Sequence, residues 1–218
     1  MHLKLLKINF ALLSMKEYYI LTLLLLIYCS LHSLLISMPF TRYIKKKMGK
    51  RFCYYRMTYN IFSVITLAPI LYYAHILKGL VLFSWTGYLV IIQYMLILIG
   101  ALLLIGGSRG YNFSQFSGIK QIKTGCLEEN DASSDKLNTS GINGIIRHPW
   151  YTAVIILLWS RSIDYSALVV NIIFTIYIII GAYLEELKLI KAFGDQYLEY
   201  KREVSMFVPL KWLRKFFT

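Results

Sequence analysis

Cysteine and histidine are too few and too scattered in this chain to build a metal centre. The three cysteines are Cys29, Cys53 and Cys126, and the four histidines are His2, His32, His75 and His148. No CxxC or HExxH spacing occurs, which argues against a zinc site, and the cysteine spacing argues against a disulfide framework. Acidic residues are also scarce: 11 Asp and Glu stand against 24 Lys and Arg, a formal net charge of +13. The basic residues flank apolar runs instead of forming a basic domain of their own, so the expected partner is a lipid bilayer and not nucleic acid. Internal repeats are absent. No small-x-small cleavage site follows the first apolar run, which is therefore read as a true span and not a leader.

What the chain has in abundance is apolar surface. Hydrophobic residues make up 57% of its 218 positions, with a mean hydropathy of +0.56. A soluble domain of this length could not hide so much, and the excess is expected to face lipid. Crossing the hydrocarbon takes about 20 apolar residues. Runs at 18–38, 57–77, 84–107 and 166–184 meet that length, and a fifth run, 150–160, is short. The short run and the last one are separated only by residues 161–165, which predicts a helical hairpin.

Lys and Arg divide unevenly between alternate sides of these runs. The segments 42–56, 108–148 and 185–218 carry seven, five and seven, whereas the opposite side carries five in all. Basic residues concentrate on the cytoplasmic side of membrane proteins, so the N-terminus is expected outside and the C-terminus in the cytoplasm. The expected fold class is all-α, a polytopic helical bundle of about five transmembrane helices with a cytoplasmic helical extension. Residues 1–107 read as a three-helix membrane scaffold. Residues 108–218 read as a cytoplasmic loop plus the hairpin that carries the chemistry. The middle of that loop, with Glu128, Glu129, Asp131, Ser133, Ser134 and Asp135, is expected to be mobile, and its ends, 111–122 and 139–149, to be ordered. Beyond Leu184 a helical pattern continues through Leu189, Ile190, Phe193 and Tyr197.

The candidate site lies where the polar loop enters the short helix, at Arg147-His148-Pro149-Trp150-Tyr151. Proline suits a first helical turn, where its missing N–H costs nothing. Helix starts also present backbone N–H groups that suit an anion. Thr139-Ser140-Gly141 gives a flexible turn with hydroxyl donors just upstream, and Glu185-Glu186 closes the long helix of the hairpin. The hairpin should bring Arg147, His148, Tyr151 and one of the glutamates together. Each residue also has an ordinary reading: an interfacial cation, a helix start, an aromatic-belt side chain, a solvated carboxylate. Neighbouring positions on a helix point about 100° apart, so one of the two glutamates should face protein. Within the spans, His32 is the better functional candidate of the two apolar-run histidines, since ionisable groups there are costly.

Residues 139–141, 147–151, 185–186, Phe193-Gly194-Asp195-Gln196-Tyr197-Leu198-Glu199-Tyr200 and Val208-Pro209 together resemble the C-terminal half of the isoprenylcysteine carboxyl methyltransferase superfamily. His32-Ser33-Leu34-Leu35, Tyr55-Arg56, Tyr59-Asn60 and Gly118-Ile119-Lys120-Gln121 resemble a narrower branch, the NnrU-like proteins and methanethiol S-methyltransferases. The resemblance implies that His148, Pro149, Trp150, Tyr151 and Glu185 contact S-adenosylmethionine. Arg147, Ser140, Gly141 and Asn143 complete the expected cofactor-binding set. Two departures stand out: Asn143 replaces a tyrosine of the isoprenylcysteine enzymes, and Gly181 replaces their substrate-binding arginine. The second argues against a prenylcysteine carboxylate as substrate.

The expected activity is therefore S-adenosylmethionine-dependent methylation of a small or lipophilic acceptor, above all a thiol. No residue is assigned as catalytic, because the methyl group is already activated and the protein supplies orientation and desolvation. The competing readings are an NADPH-dependent membrane reductase of the sterol-reductase type and a non-catalytic NnrU-like membrane factor.

Overall fold

In the computed structural model, the described residues are 2–108, 114, 117–123 and 137–215, with side chains from Met15 onward. The acidic loop middle expected to be mobile lies outside them, as do residues 111–113, 115 and 116 of the stretch expected to be ordered. Helices dominate: α1 (His2–Ile36), α2 (Met38–Met48), a 3-10 turn (Gly49–Tyr54), α3 (Tyr55–Leu77), α4 (Leu89–Ser108), α5 (Ile119–Lys123), α6 (Pro149–Trp159), α7 (Tyr165–Phe193), α8 (Asp195–Glu203) and α9 (Leu210–Arg214). Two short strands, β1 (Val81–Phe83) and β2 (Ile163–Asp164), pair antiparallel. Among the described residues, four helical stretches are long and apolar enough to cross a membrane: Met15–Ile36, Met38–Leu77, Leu89–Ser108 and Tyr165–Phe193. Their outer faces expose large apolar side chains such as Val64, Ile91, Leu98 and Ile176. An aqueous surface would not tolerate such a continuous patch, and lipid requires it. The chain is an all-α, multi-pass integral membrane protein.

The 40-residue stretch Met38–Leu77 is one span by length and composition. Arg42, Lys45, Lys46 and Lys47 place α2 outside the hydrocarbon, so the crossing belongs to α3. The sequence reading took 42–56 as a loop; much of it is helical, with Pro39 in the first turn of α2, where φ is already set for a helix.

The chain forms two compact units, 1–84 with 162–174 and 85–161 with 175–218. In the first, Leu21 and Leu25 sit one turn apart on α1 and bury themselves against Ala74 and Val170. Asp164 caps α7 by accepting from the Ala167 N–H at 2.8 Å, the usual reach from N-cap to third residue. The Ser166 hydroxyl donates 2.7 Å to the Ala74 carbonyl. Cys53, read from sequence as outside any disulfide framework, is disulfide-bonded.

In the second unit α6 lies antiparallel against α4. A Cβ on Gly107 would fall 2.4 Å from Trp150 Cδ1, and one on Gly100 would fall 2.9 Å from Leu157. Seven residues separate the contacts on both helices, so glycines admit the bulky side chains in register. This is the small-residue packing used where lipid provides no hydrophobic drive between helices.

Helix α6 has 11 residues, about 16 Å at the helical rise. That is half of the roughly 30 Å hydrocarbon. The chain turns at Ser160 and Arg161 and then enters β2, whose partner β1 directly follows α3. The long arm runs beyond Leu184 to Phe193, as the helical pattern implied, and Gly194, at φ 56°, ends it in the left-handed conformation that favours glycine.

Candidate functional site

The pre-α6 turn is built from local steps. Ser140 bonds Asn138 Oδ1 through its N–H (3.1 Å) and its hydroxyl (2.9 Å). Gly141 takes φ 61°, and Gly141–Gly144 forms a 3-10 turn. The Tyr200 hydroxyl donates 2.6 Å to the Asn143 carbonyl, tying this turn to α8. Asn143 therefore anchors the turn by its backbone.

The segment after α8 then returns alongside. Ile146 pairs with Ser205 in an isolated parallel bridge. The Arg147 N–H donates 2.9 Å to the Ser205 carbonyl, and the His148 N–H donates 3.1 Å to that of Met206. The Thr152 hydroxyl reaches both the His148 carbonyl, 2.9 Å, and the Phe207 carbonyl, 3.3 Å. Residues 204–207 thus hold the entrance of α6 in place.

Glu186 is the electrostatic centre of this arrangement, with its side chain 3% exposed. Its Oε1 accepts from Arg147 Nε at 2.8 Å and lies 2.6 Å from Nη2. Its Oε2 lies 2.9 Å from Lys201 Nζ. Arg147 Nη1 donates to the carbonyls of Lys201 and Val204. Most of the guanidinium fork is thereby occupied, which is what a buried arginine requires. Lys211 Nζ adds a 2.6 Å bond to the Lys201 carbonyl. Tyr197 is 1% exposed and packs with Tyr200, Val204, Leu189 and Phe193 beneath the charges. Burial, followed by the nearby Glu186 carboxylate, pushes its phenol well above the ordinary tyrosine range.

His148 is the N-cap of α6 and is 6% exposed. Its ring stacks on Tyr151, centroids 5.4 Å apart at 13°, and meets Phe207 at 6.0 Å. Nδ1 lies 3.9 Å from Glu185, whose carboxylate side chain is 32% exposed. Nε2 lies 3.4 Å from Glu186 Oε1, yet out of alignment, so that it is a buried nitrogen with no hydrogen bond. Burial pulls the His148 pKa below its ordinary value, against the opposing pull of Glu185 and Glu186. The imidazole is therefore neutral at pH 7.

The structure brings Arg147, His148, Tyr151, Glu185 and Glu186 together, with Asn143 joined through Tyr200. Pro149 is buried in the first turn of α6, and Trp150 turns toward α4 at Gly107. Ser140 and Gly141 lie on the turn before. A Cβ on Gly181, one turn before Glu185, would meet nothing within 4 Å. Sequence reasoning left Lys201 and Phe207 out of the site. A bond from a side chain to a carbonyl 54 residues away, like that of Arg147 to Lys201, has no periodic signature.

The family described as "NnrU protein" matches residues 20–162. Methanethiol S-methyltransferase 1 of Bradyrhizobium diazoefficiens is 35% identical over 104 residues, which is 47% of this chain and 35% of that protein. Methanethiol S-methyltransferase of Crocosphaera subtropica is 29% identical over 171 residues, 78% of this chain and 64% of that protein. One from a Pseudomonas species is 42% identical over 67 residues, 30% of this chain and 25% of that protein. The chain thus spans between a quarter and two thirds of the curated relatives it matches. No solved structure matches it.

Proposed function

Because the chain belongs to the NnrU protein family, we propose that it is an integral membrane methyltransferase that uses S-adenosylmethionine and methylates a small lipophilic thiol. The observation that carries this reading is His148. It is a buried ring stacked on Tyr151, with Nε2 left without an aligned hydrogen bond, beside a half-buried carboxylate. Buried polar atoms without partners are rare and call for an explanation. A polar cofactor bearing ribose hydroxyls and an amino group supplies one. The relatives' name, methanethiol S-methyltransferase, supports the reaction class.

When bound, S-adenosylmethionine supplies a methyl group already activated on a sulfonium, so the protein needs no metal or strong base for the transfer. Glu185 would hold the amino group or the ribose hydroxyls. The face of Tyr151 would lie against adenine or the cationic sulfur, while Trp150, expected from sequence to do the same, packs against α4 at Gly107. His148 would bond the cofactor through its open nitrogen, and Pro149 fixes the first turn from which these residues project. Arg147, engaged by Glu186 and two carbonyls, acts as a positioning residue. Ser140, Gly141 and Asn143 would wall the pocket. Residues 108–218 are on this reading the cofactor-binding region and 1–107 a membrane scaffold. The acceptor would arrive from the bilayer as a thiol, give up its proton to water at the membrane surface and attack the methyl group as thiolate, with the open space at Gly181 in place of a carboxylate-binding side chain. The N-terminus would lie outside and the C-terminus in the cytoplasm.

Titration calorimetry with S-adenosylhomocysteine tests the cofactor, and gas chromatography of the headspace over membranes given methanethiol and S-adenosylmethionine tests the reaction. Binding that weakens at least tenfold in His148→Ala and Glu185→Ala, together with a methylated product, is the expected result. Absence of S-adenosylhomocysteine binding, or binding of NADPH instead, would sink the reading in favour of a reductase. Binding without any volatile or lipid-soluble product would leave a non-catalytic family member.

A further inference from the structure

No acidic residue occurs between Glu17 and Glu128. Within that stretch Arg42, Lys45, Lys46, Lys47, Lys50 and Arg51 fall in ten consecutive positions. All six are exposed, and they lie on α2 and the 3-10 turn that follows it. Phe40, Ile44 and Met48 recur every four residues along one face of α2, while Arg42, Lys45 and Lys46 occupy the opposite face. An 11-residue helix of this kind, between two spans, is suited to lie in the plane of the membrane surface.

The segment is also held in shape. Ser37 separates α1 from α2 in an extended conformation, ψ 146°. Thr41 bonds back to the Ser37 carbonyl through both N–H and hydroxyl, each 2.9 Å. The Tyr55 hydroxyl then donates 2.7 Å to the Leu35 carbonyl, closing the excursion at its base. The ring of Phe52 stacks on Tyr55 at 5.5 Å and 9°. Six cations are therefore displayed from a closed, folded segment and not from a loose tail. No acid lies near them in sequence, and on the apolar side Phe40 and Ile44 are half-buried while Met48 is exposed.

We propose that α2 and the following turn form a binding site for anionic phospholipid headgroups. The apolar stripe enters the acyl boundary, and the cations gather lipid phosphates around it. The charge complementarity selects the occupant: a zwitterionic headgroup brings no net charge to balance the array. A nucleic acid would engage the cations and leave the apolar stripe exposed.

Native mass spectrometry of the full chain, released from mixed micelles of equal phosphatidylglycerol and phosphatidylcholine, tests this. At least a fivefold excess of phosphatidylglycerol adducts is expected, and it should fall toward parity between 50 and 500 mM salt because exposed charges are screened. The variant K45Q/K46Q/K47Q/K50Q should lose the excess, and the all-arginine counterpart should keep it. Should the glutamine variant fail to insert, the salt series on the native chain still decides. Equal adducts of the two lipids at low salt, a salt-independent excess, or displacement of phosphatidylglycerol by an RNA oligomer would overturn the proposal.

Discussion

The buried polar groups of the two units are settled on different terms. In the first, the Tyr59 hydroxyl meets His32 Nε2 at 2.7 Å, between helices that also pack through Leu21, Leu25 and Ala74. In the second, Arg147 and Lys201 share the buried Glu186 carboxylate, and the carbonyls of Lys201 and Val204 complete the set. Deep in lipid a hydrogen-bonded pair can be lost at modest cost, because the separated helices find other partners there. A buried charge network has no such fallback: each ion depends on the others for the solvation it has given up. Tolerance to substitution should therefore differ sharply between the two regions, and four experiments bear on that difference.

The largest effect is expected at Glu186. Glu186→Ala leaves Arg147 and Lys201 without their carboxylate and should cost about 3–5 kcal/mol. Loss of monodisperse protein by fluorescence-detected size exclusion checks this, and a variant as stable as the native chain would mean the network is not a clamp. Next comes the α4–α6 contact. Gly107→Ala puts a methyl into the Trp150 ring and should cost about 1–3 kcal/mol by overpacking. Gly181→Ala meets open space and should be neutral or gain up to about 1 kcal/mol of helix propensity. Paired melting curves of the two alanine variants read the contrast directly.

The cost of Tyr59→Phe should be smaller, about 0.6 kcal/mol. A melting temperature depressed as far as in Glu186→Ala would erase the distinction between the units. The mildest effect concerns pH. Because burial holds the His148 pKa below its ordinary value, protons bind the unfolded chain first as pH falls. The stability it contributes is present above its unfolded pKa of about 6.5 and declines below it. Melting temperatures between pH 8 and 5 should fall more steeply in the native chain than in His148→Gln, and parallel profiles would refute the assignment.

The spans were legible because lipid enforces a composition: runs such as 89–108 contain no charged residue, and nothing else in the chain looks like them. The start of α6 was legible from Pro149, and the meeting of its first turn with a glutamate from the hairpin geometry. Which glutamate would be buried was not, since Glu185 and Glu186 are chemically equal and only packing separates them. Helix α2 was hidden by its lysines, which read as loop. The parallel bridge of Ile146 with Ser205 and the pairing of β1 with β2 were hidden for another reason. They involve one to three residues each, too few for a strand period to register. The Cys53 disulfide followed no spacing rule.

The bridge between Ile146 and Ser205 carries a consequence for biosynthesis. The chain is made and threaded into the membrane from its N-terminus, so residues 140–148 are in place well before 204–207 emerge from the ribosome. Until then Arg147 lacks the Val204 carbonyl, and the backbone N–H groups of Arg147 and His148 lack the Ser205 and Met206 acceptors. A nascent chain halted before Val204 would hold its spans but leave the entrance of α6 unfastened. The spans can thus be inserted and inspected by the cell while the entrance of α6 is still loose, and that entrance sets only as the closing segment docks.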